Sequence, residues 1–121
     1  MARILIIDDD QQIRVALRQL LQSAGHVVEE AINGEEGIAC YRGQAADLVI
    51  LDLMMPGING LEVITTLQKD FPGVRIVTLS AAHQLGRANL LAASVLMGAL
   101  RSIPKPFVPE DLMRVIEELL P

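Results

Sequence analysis

The chain has 121 residues, 51% of them hydrophobic and 21% charged, with 15 acidic against 10 basic side chains. That is the length of one domain with enough apolar matter for a core, which excludes intrinsic disorder. The net charge of −5 and the lack of any Lys/Arg run argue against a nucleic-acid surface, and the longest uncharged stretch, the 13 residues Ala88 to Leu100, is too short to span a bilayer.

Arg3 is followed by Ile4-Leu5-Ile6-Ile7 and then by Asp8-Asp9-Asp10. A short β-branched run bounded by polar residues reads as a strand buried on both faces, with the acids where it ends. Asp10 is a good N-cap and Gly25 a good residue just past a helix. Between them Ile13, Leu17, Leu20, Leu21 and Ala24 share one helical face. A second strand begins at His26-Val27-Val28 and ends near Ala31; His26 reads as a strand-edge residue rather than a ligand. Asn33-Gly34 is a turn and cap, and Glu35 to Arg42 a helix with Ile38 and Tyr41 inward. Asp47 to Leu51 is the third strand, closed by Asp52.

Pro56-Gly57 then stops strand character. Asn59 with Glu62 three residues on resembles a helix-capping arrangement, and Leu61, Ile64 and Leu67 give that helix its buried face. Phe71-Pro72-Gly73 breaks it. Val74, Ile76, Val77 and Leu79 form the fourth strand, followed by Ser80. His83 to Met97 reads as the fourth helix, ended by Gly98. Leu100 to Ile103 is a weak fifth strand, and Pro104 restricts it to an edge of the sheet. Pro109, Glu110 and Asp111 suit the first turn of a last helix with Leu112, Val115, Ile116 and Leu119 inward. No repeat, low-complexity tract or linker interrupts this order. The lone Cys40 has no partner for an internal disulfide, and no signal peptide is visible, so the expected setting is a reducing, cytoplasmic one.

Five alternating β-α units imply an α/β fold: a doubly wound, five-stranded parallel sheet with helices on both faces. Ligands in such folds bind outside the carboxyl ends of the strands, where the strand order reverses. Asp8 and Asp9, Asp52, Ser80, and Lys105 all lie at such ends. Adjacent carboxylates raise one another's pKa, so they are grouped either because water solvates them or because a cation neutralises them. Carboxylates with an open face suit Mg²⁺, which keeps several waters and takes phosphate oxygens as further ligands. An Asp can also act as a nucleophile and accept a phosphoryl group, with a metal, an ammonium and a hydroxyl holding the phosphoryl oxygens.

The stretches Ile6-Ile7-Asp8-Asp9-Asp10, Leu51-Asp52-Leu53-Met54-Met55-Pro56-Gly57, Ser80-Ala81 and Lys105-Pro106-Phe107 together resemble the signature of the response-regulator receiver family. The resemblance spans essentially the whole chain, 1–121, as a single receiver domain. It implies a flavodoxin-like sheet of order 2-1-3-4-5, which periodicity alone leaves open. It implies that Asp52 is the phosphoacceptor. Asp8 and Asp9 would organise Mg²⁺ with Asp52 and the backbone carbonyl of Met54, Asp9 being the more direct of the acidic pair. Ser80 and Lys105 would contact the phosphoryl group, and the Lys105-Pro106 bond is often cis in the family. The implied donor is a phosphohistidine on a sensor histidine kinase or phosphotransfer protein. The implied output face is the fourth helix, fifth strand and fifth helix, acting on a partner or in a homodimer, with no direct nucleic-acid binding and no membrane.

The sequence departs from the family at Ser102, where Tyr or Phe is usual, and Tyr41 lies in the wrong element to replace it. The stretch from Ser80 to Gly98 is also about three residues longer than usual, so an altered loop or fourth helix is expected there. Leu90, Leu91 and Met97 read as core, with a partner surface as the alternative. Two rival readings compete. An Asp-nucleophile phosphatase or dehalogenase would need a Thr where Gln12 stands. A receiver-like module that is never phosphorylated would not need the full set of site residues.

Overall fold

The computed structural model describes residues 1–55, 59–81, 94–95 and 97–120. Five strands form one sheet: β1 (Arg3–Ile7), β2 (Val27–Ala31), β3 (Leu48–Asp52), β4 (Ile76–Ala81) and β5 (Arg101–Lys105). Their order is β2-β1-β3-β4-β5, and every neighbouring pair is parallel. The helices are α1 (Gln11–Ser23), α2 (Gly34–Gly43), α3 (Gly60–Asp70) and a C-terminal helix, Pro109–Leu119. The doubly wound α/β sheet expected from the β-α alternation is therefore the fold observed, in the order that the family resemblance implied.

Two apolar clusters sandwich the sheet. On one face Leu5, Ile7, Val49, Leu51 and Ile76 pack against Ile38 and Tyr41 of α2 and Val63, Ile64 and Leu67 of α3. On the other, Ile4, Ile6, Leu48, Ile50, Val77 and Leu79 meet Leu17 and Leu21 of α1 and Leu112 and Ile116 of the C-terminal helix. Side chains alternate across a strand, so a run apolar at every position fills both layers.

The helix ends follow local chemistry. Asp10 accepts from the backbone N–H groups of Gln12 and Ile13, and Asn59 from that of Glu62. The Asn59 amide donates in turn to the Glu62 carboxylate at 2.8 Å. Gly25 follows α1 at φ +90°, a conformation that costs a Cβ-bearing residue. Gly98 has φ +123°, a conformation that likewise disfavours a Cβ. Of the expected fourth helix, 83–97, only Ser94, Val95 and Met97 are among the described residues, and Leu90 and Leu91 lie outside them.

Several expectations from sequence need correction. Strand β3 runs one residue further than expected, so Asp52 belongs to it. Strand β5 likewise continues through Pro104 to Lys105, which its edge position permits. Ala24, placed on the inner face of α1, is exposed because the helix has already ended there. Val63 takes the buried place on α3, while Leu61 is half-buried. Met97, read as core, is 40% exposed. His26 lies just before the edge strand β2, as expected, but is buried: its Nδ1 accepts from the Ala2 N–H, and its Nε2 faces a Glu117 carboxylate oxygen at 3.1 Å.

Candidate functional site

The sheet order fixes where a site can form. From β1 the chain crosses to β2 on one side and later to β3 on the other, so a crevice opens at the carboxyl ends of β1 and β3. Register sets Ile7 beside Leu51, which brings the residues that follow, Asp8 and Asp52, to the same rim. β4 is in register with β3 there, Asp52 against Leu79, and Ser80 comes next. β5 brings Lys105 opposite Ala81.

One carboxylate oxygen from each of Asp8, Asp9 and Asp52 lies within 4.8 Å of the others. Asp8 is fully buried, Asp52 is 4% exposed, and Asp9 is open to solvent. The view that Asp8 and Asp9 both face water therefore fails for Asp8. The Lys105 ammonium lies 3.0 Å from one Asp8 oxygen and 3.6 Å from one Asp52 oxygen. Three carboxylates against one ammonium leave a surplus of two negative charges in a largely dry crevice.

Electrostatics reports the same crowding. Burial, then the Asp8 carboxylate beside it, pushes the Asp52 pKa up to about 7 from 3.8, against the Met54 N–H and Lys105, which favour its ionised form. Burial pulls the Lys105 pKa down, but the Asp52 and Asp8 carboxylates outweigh it, and the result lies above the ordinary value. The donor set is all oxygen, and its excess charge is the condition a hard divalent cation relieves, so these three acids could hold one.

The surrounding backbone holds the acids in place. The Asp10 N–H donates to Asp8 Oδ1 at 2.9 Å, and the Met54 N–H to Asp52 Oδ1 at 3.1 Å. Met54 itself is exposed at the mouth of the crevice. Ser80 is fully buried, and its Oγ has no hydrogen-bond partner among the described residues. A buried hydroxyl left so costs about 1–3 kcal/mol, a penalty that an incoming acceptor would remove. The Lys105-Pro106 peptide bond is cis. Thus the structure brings Asp8, Asp9, Asp52 and Lys105 together at one rim, with Ser80 at the end of the adjoining strand.

Two features escaped the sequence reading. Arg14, on the first turns of α1, donates to the Asp8 carbonyl and to Glu30 of β2. The Thr78 and Ser94 hydroxyls meet at 2.9 Å in a buried pair. Nothing in the periodicity flags either one: Arg14 reads as a solvated helix residue, and a hydroxyl pair has no spacing rule. Ser102, where an aromatic is usual, is half-buried in β5 in register with Thr78.

Comparison with known proteins agrees with this geometry. The sequence model of the response regulator receiver domain matches residues 4–117. The chemotaxis protein CheY of Thermotoga maritima is 35% identical over 118 residues, 97% of this chain and 93% of that protein. The DNA-binding transcriptional regulator NtrC of Azospirillum brasilense is 37% identical over 98% of this chain, which spans only 24% of NtrC. Among solved structures, Vibrio cholerae CheY4 superposes with a TM-score of 0.87 at 29% identity, covering 99% of both chains. No helix among the described residues is long and apolar enough to cross a membrane. With the sheet order, the acidic rim and these matches in agreement, the chain belongs to the response regulator receiver domain family.

Proposed function

We propose that residues 1–121 act as a single receiver domain whose Asp52 accepts a phosphoryl group in a Mg²⁺-dependent transfer. The observation that carries this reading is the convergence of Asp8, Asp9 and Asp52, with Asp8 and Asp52 sharing Lys105. Asp8, Asp9, Asp52 and the backbone carbonyl of Met54 would hold the Mg²⁺. When bound, that ion supplies the positive charge that offsets the developing phosphoryl oxyanions.

The donor is a phosphohistidine of a sensor histidine kinase or phosphotransfer protein. An ionised Asp52 oxygen attacks the phosphorus in line; the P–N bond breaks as the P–O bond forms, and its electron pair stays on the imidazole. Neutralisation of the rim keeps Asp52 ionised near neutral pH, against the crowding that holds its pKa near 7. Lys105, already between two carboxylates, pairs with a phosphoryl oxygen once Asp52 is phosphorylated. The buried Ser80 hydroxyl gains an acceptor in another. Positioning and charge carry this chemistry; the domain turns over nothing but its own phosphorylation and dephosphorylation.

The modification is read out in a cytoplasmic pathway through the surface built on β5, the C-terminal helix and the segment before β5, by a partner or by a second copy. Residues 82–93 and 96 lie outside the described residues. The chain spans 24% of NtrC, so that protein's output is not carried over to it.

The test is intact-mass analysis after incubation with a small acyl phosphate and Mg²⁺. One phosphoryl adduct is expected, absent in Asp52→Asn and absent with chelator. An adduct that persists in Asp52→Asn rejects the proposal. Turnover of phosphate esters would favour the phosphatase reading instead.

A further inference from the structure

We propose that Arg14 is a positioning residue that sets the geometry of the metal-binding acids from outside the site. The inference rests on the reading that Asp8 and Asp9 hold Mg²⁺, but its argument is a separate one. β1 pairs with its neighbours through Ile7, so Asp8 is the first residue past the ladder. Its N–H is still held, donating to the Ala31 carbonyl at 3.1 Å. Its carbonyl accepts from Arg14 Nη1 at 2.7 Å, so a guanidinium does there what a strand would otherwise do.

That carbonyl belongs to the peptide unit joining Asp8 to Asp9. A peptide is planar, so fixing its oxygen fixes the plane from which both side chains depart. The backbone from which the two acids depart cannot turn without breaking this contact, which leaves only side-chain rotation to re-aim them. The Arg14 side chain is only 12% exposed, and its Nε donates to a Glu30 carboxylate oxygen at 3.2 Å. Glu30 also pairs with Arg18, one turn further along α1. Arg14 thus spans three elements: it stands on α1, is aimed by β2, and holds the end of β1. The fork of the guanidinium is what permits two contacts in different directions, which an ammonium cannot match.

Charge alone makes the opposite prediction. A cation close to a divalent-ion site repels the ion, so its removal should tighten binding. Positioning by a group outside the coordination sphere is worth about 10- to 100-fold in metal affinity. The sign of the effect therefore separates the two.

The experiment is calorimetric titration of the unphosphorylated protein with Mg²⁺, with circular dichroism confirming that each variant is folded. Arg14→Gln is expected to raise the Mg²⁺ dissociation constant about tenfold or more. Arg14→Lys keeps the charge but loses the fork, and is expected to weaken binding about threefold, a partial rescue. Unchanged or tighter binding in Arg14→Gln overturns the inference. Should that variant not fold, Arg14→Lys decides alone, and wild-type affinity there overturns it equally. A wild-type protein that binds no Mg²⁺ would defeat the reading of the site itself. Normal binding by wild type and both variants would defeat only the role of Arg14.

Discussion

The two rims of the sheet differ in the charge they bury. At the amino rim the buried His26 uses both ring nitrogens, on the Ala2 N–H and on Glu117, while the Arg3 Nε is buried without a hydrogen-bond partner among the described residues. At the carboxyl rim two buried carboxylates share one ammonium, and the Ser80 hydroxyl has no partner among the described residues. Both rims rest on the same two apolar layers, so packing does not account for the difference. Polar networks that are complete add stability, whereas an incomplete one is tolerated where a ligand finishes it. The buried carboxylates in excess of their one ammonium, rather than an unpartnered polar atom alone, mark the carboxyl rim.

Substitutions should separate the rims. The largest effect is expected from Lys105→Met, which leaves the buried Asp8 carboxylate without its cation. Breaking such a pair costs about 3 kcal/mol or more. Chemical denaturation should show that loss, with part of it recovered on adding Mg²⁺. A loss that Mg²⁺ leaves untouched would mean that the ion does not reach these acids.

His26→Ala strikes the other rim. It strips a partner from the buried Ala2 N–H and opens a small cavity, an expected loss of about 2 kcal/mol. The Mg²⁺ dissociation constant should stay at its wild-type value. A change there would show that the rims are coupled rather than independent.

The pH dependence of stability sharpens the comparison. The Asp52 carboxyl titrates near 7 in the fold against an ordinary 3.8. Below pH 4 both the folded and unfolded chains hold that proton. Between about 4 and 7 the unfolded chain releases it first, so folding stability falls as pH rises through this window. Above 7 the penalty is complete. Asp52→Asn should therefore be the more stable protein at pH 8, by about 1–3 kcal/mol, and nearly equal to wild type at pH 4. Thermal melts at the two pH values measure this, and equal differences at both would exclude a raised pKa at Asp52.

The smallest effect is expected away from both rims. Asn59→Ala removes the cap of α3 and should cost about 1 kcal/mol with no change in metal affinity. A shift in Mg²⁺ binding in that variant would extend the site into α3.

Much of this was legible in the sequence, because the features concerned are local. Apolar runs marked β1, β3 and β4, the signal for β5 was weak, and Asp10, Gly25 and Asn59 marked helix ends by side-chain chemistry that acts within a few residues. The coincidence of Asp8, Asp52, Ser80 and Lys105 at strand ends needed only the β-α alternation. Strand order did not follow from periodicity, since any of several orders buries the same apolar faces; it came from the family resemblance. The burial of His26 was hidden because its partners, Ala2 and Glu117, lie at opposite ends of the chain. Arg14 was hidden for a related reason: its importance lies in a carbonyl six residues earlier and a carboxylate sixteen residues later. Met97 misled because an apolar residue at helical spacing does not reveal which side of the helix is covered.

The most direct test of the central claim is to find the residue that carries the phosphoryl group. The protein would be phosphorylated with an acyl phosphate and Mg²⁺, reduced with borohydride, and digested. Reduction converts an aspartyl phosphate to homoserine, which mass spectrometry locates. Homoserine at position 52, and unaltered aspartate at 8 and 9, is the expected result. Homoserine at another acid, or none under conditions where Mg²⁺ binds, would contradict the account.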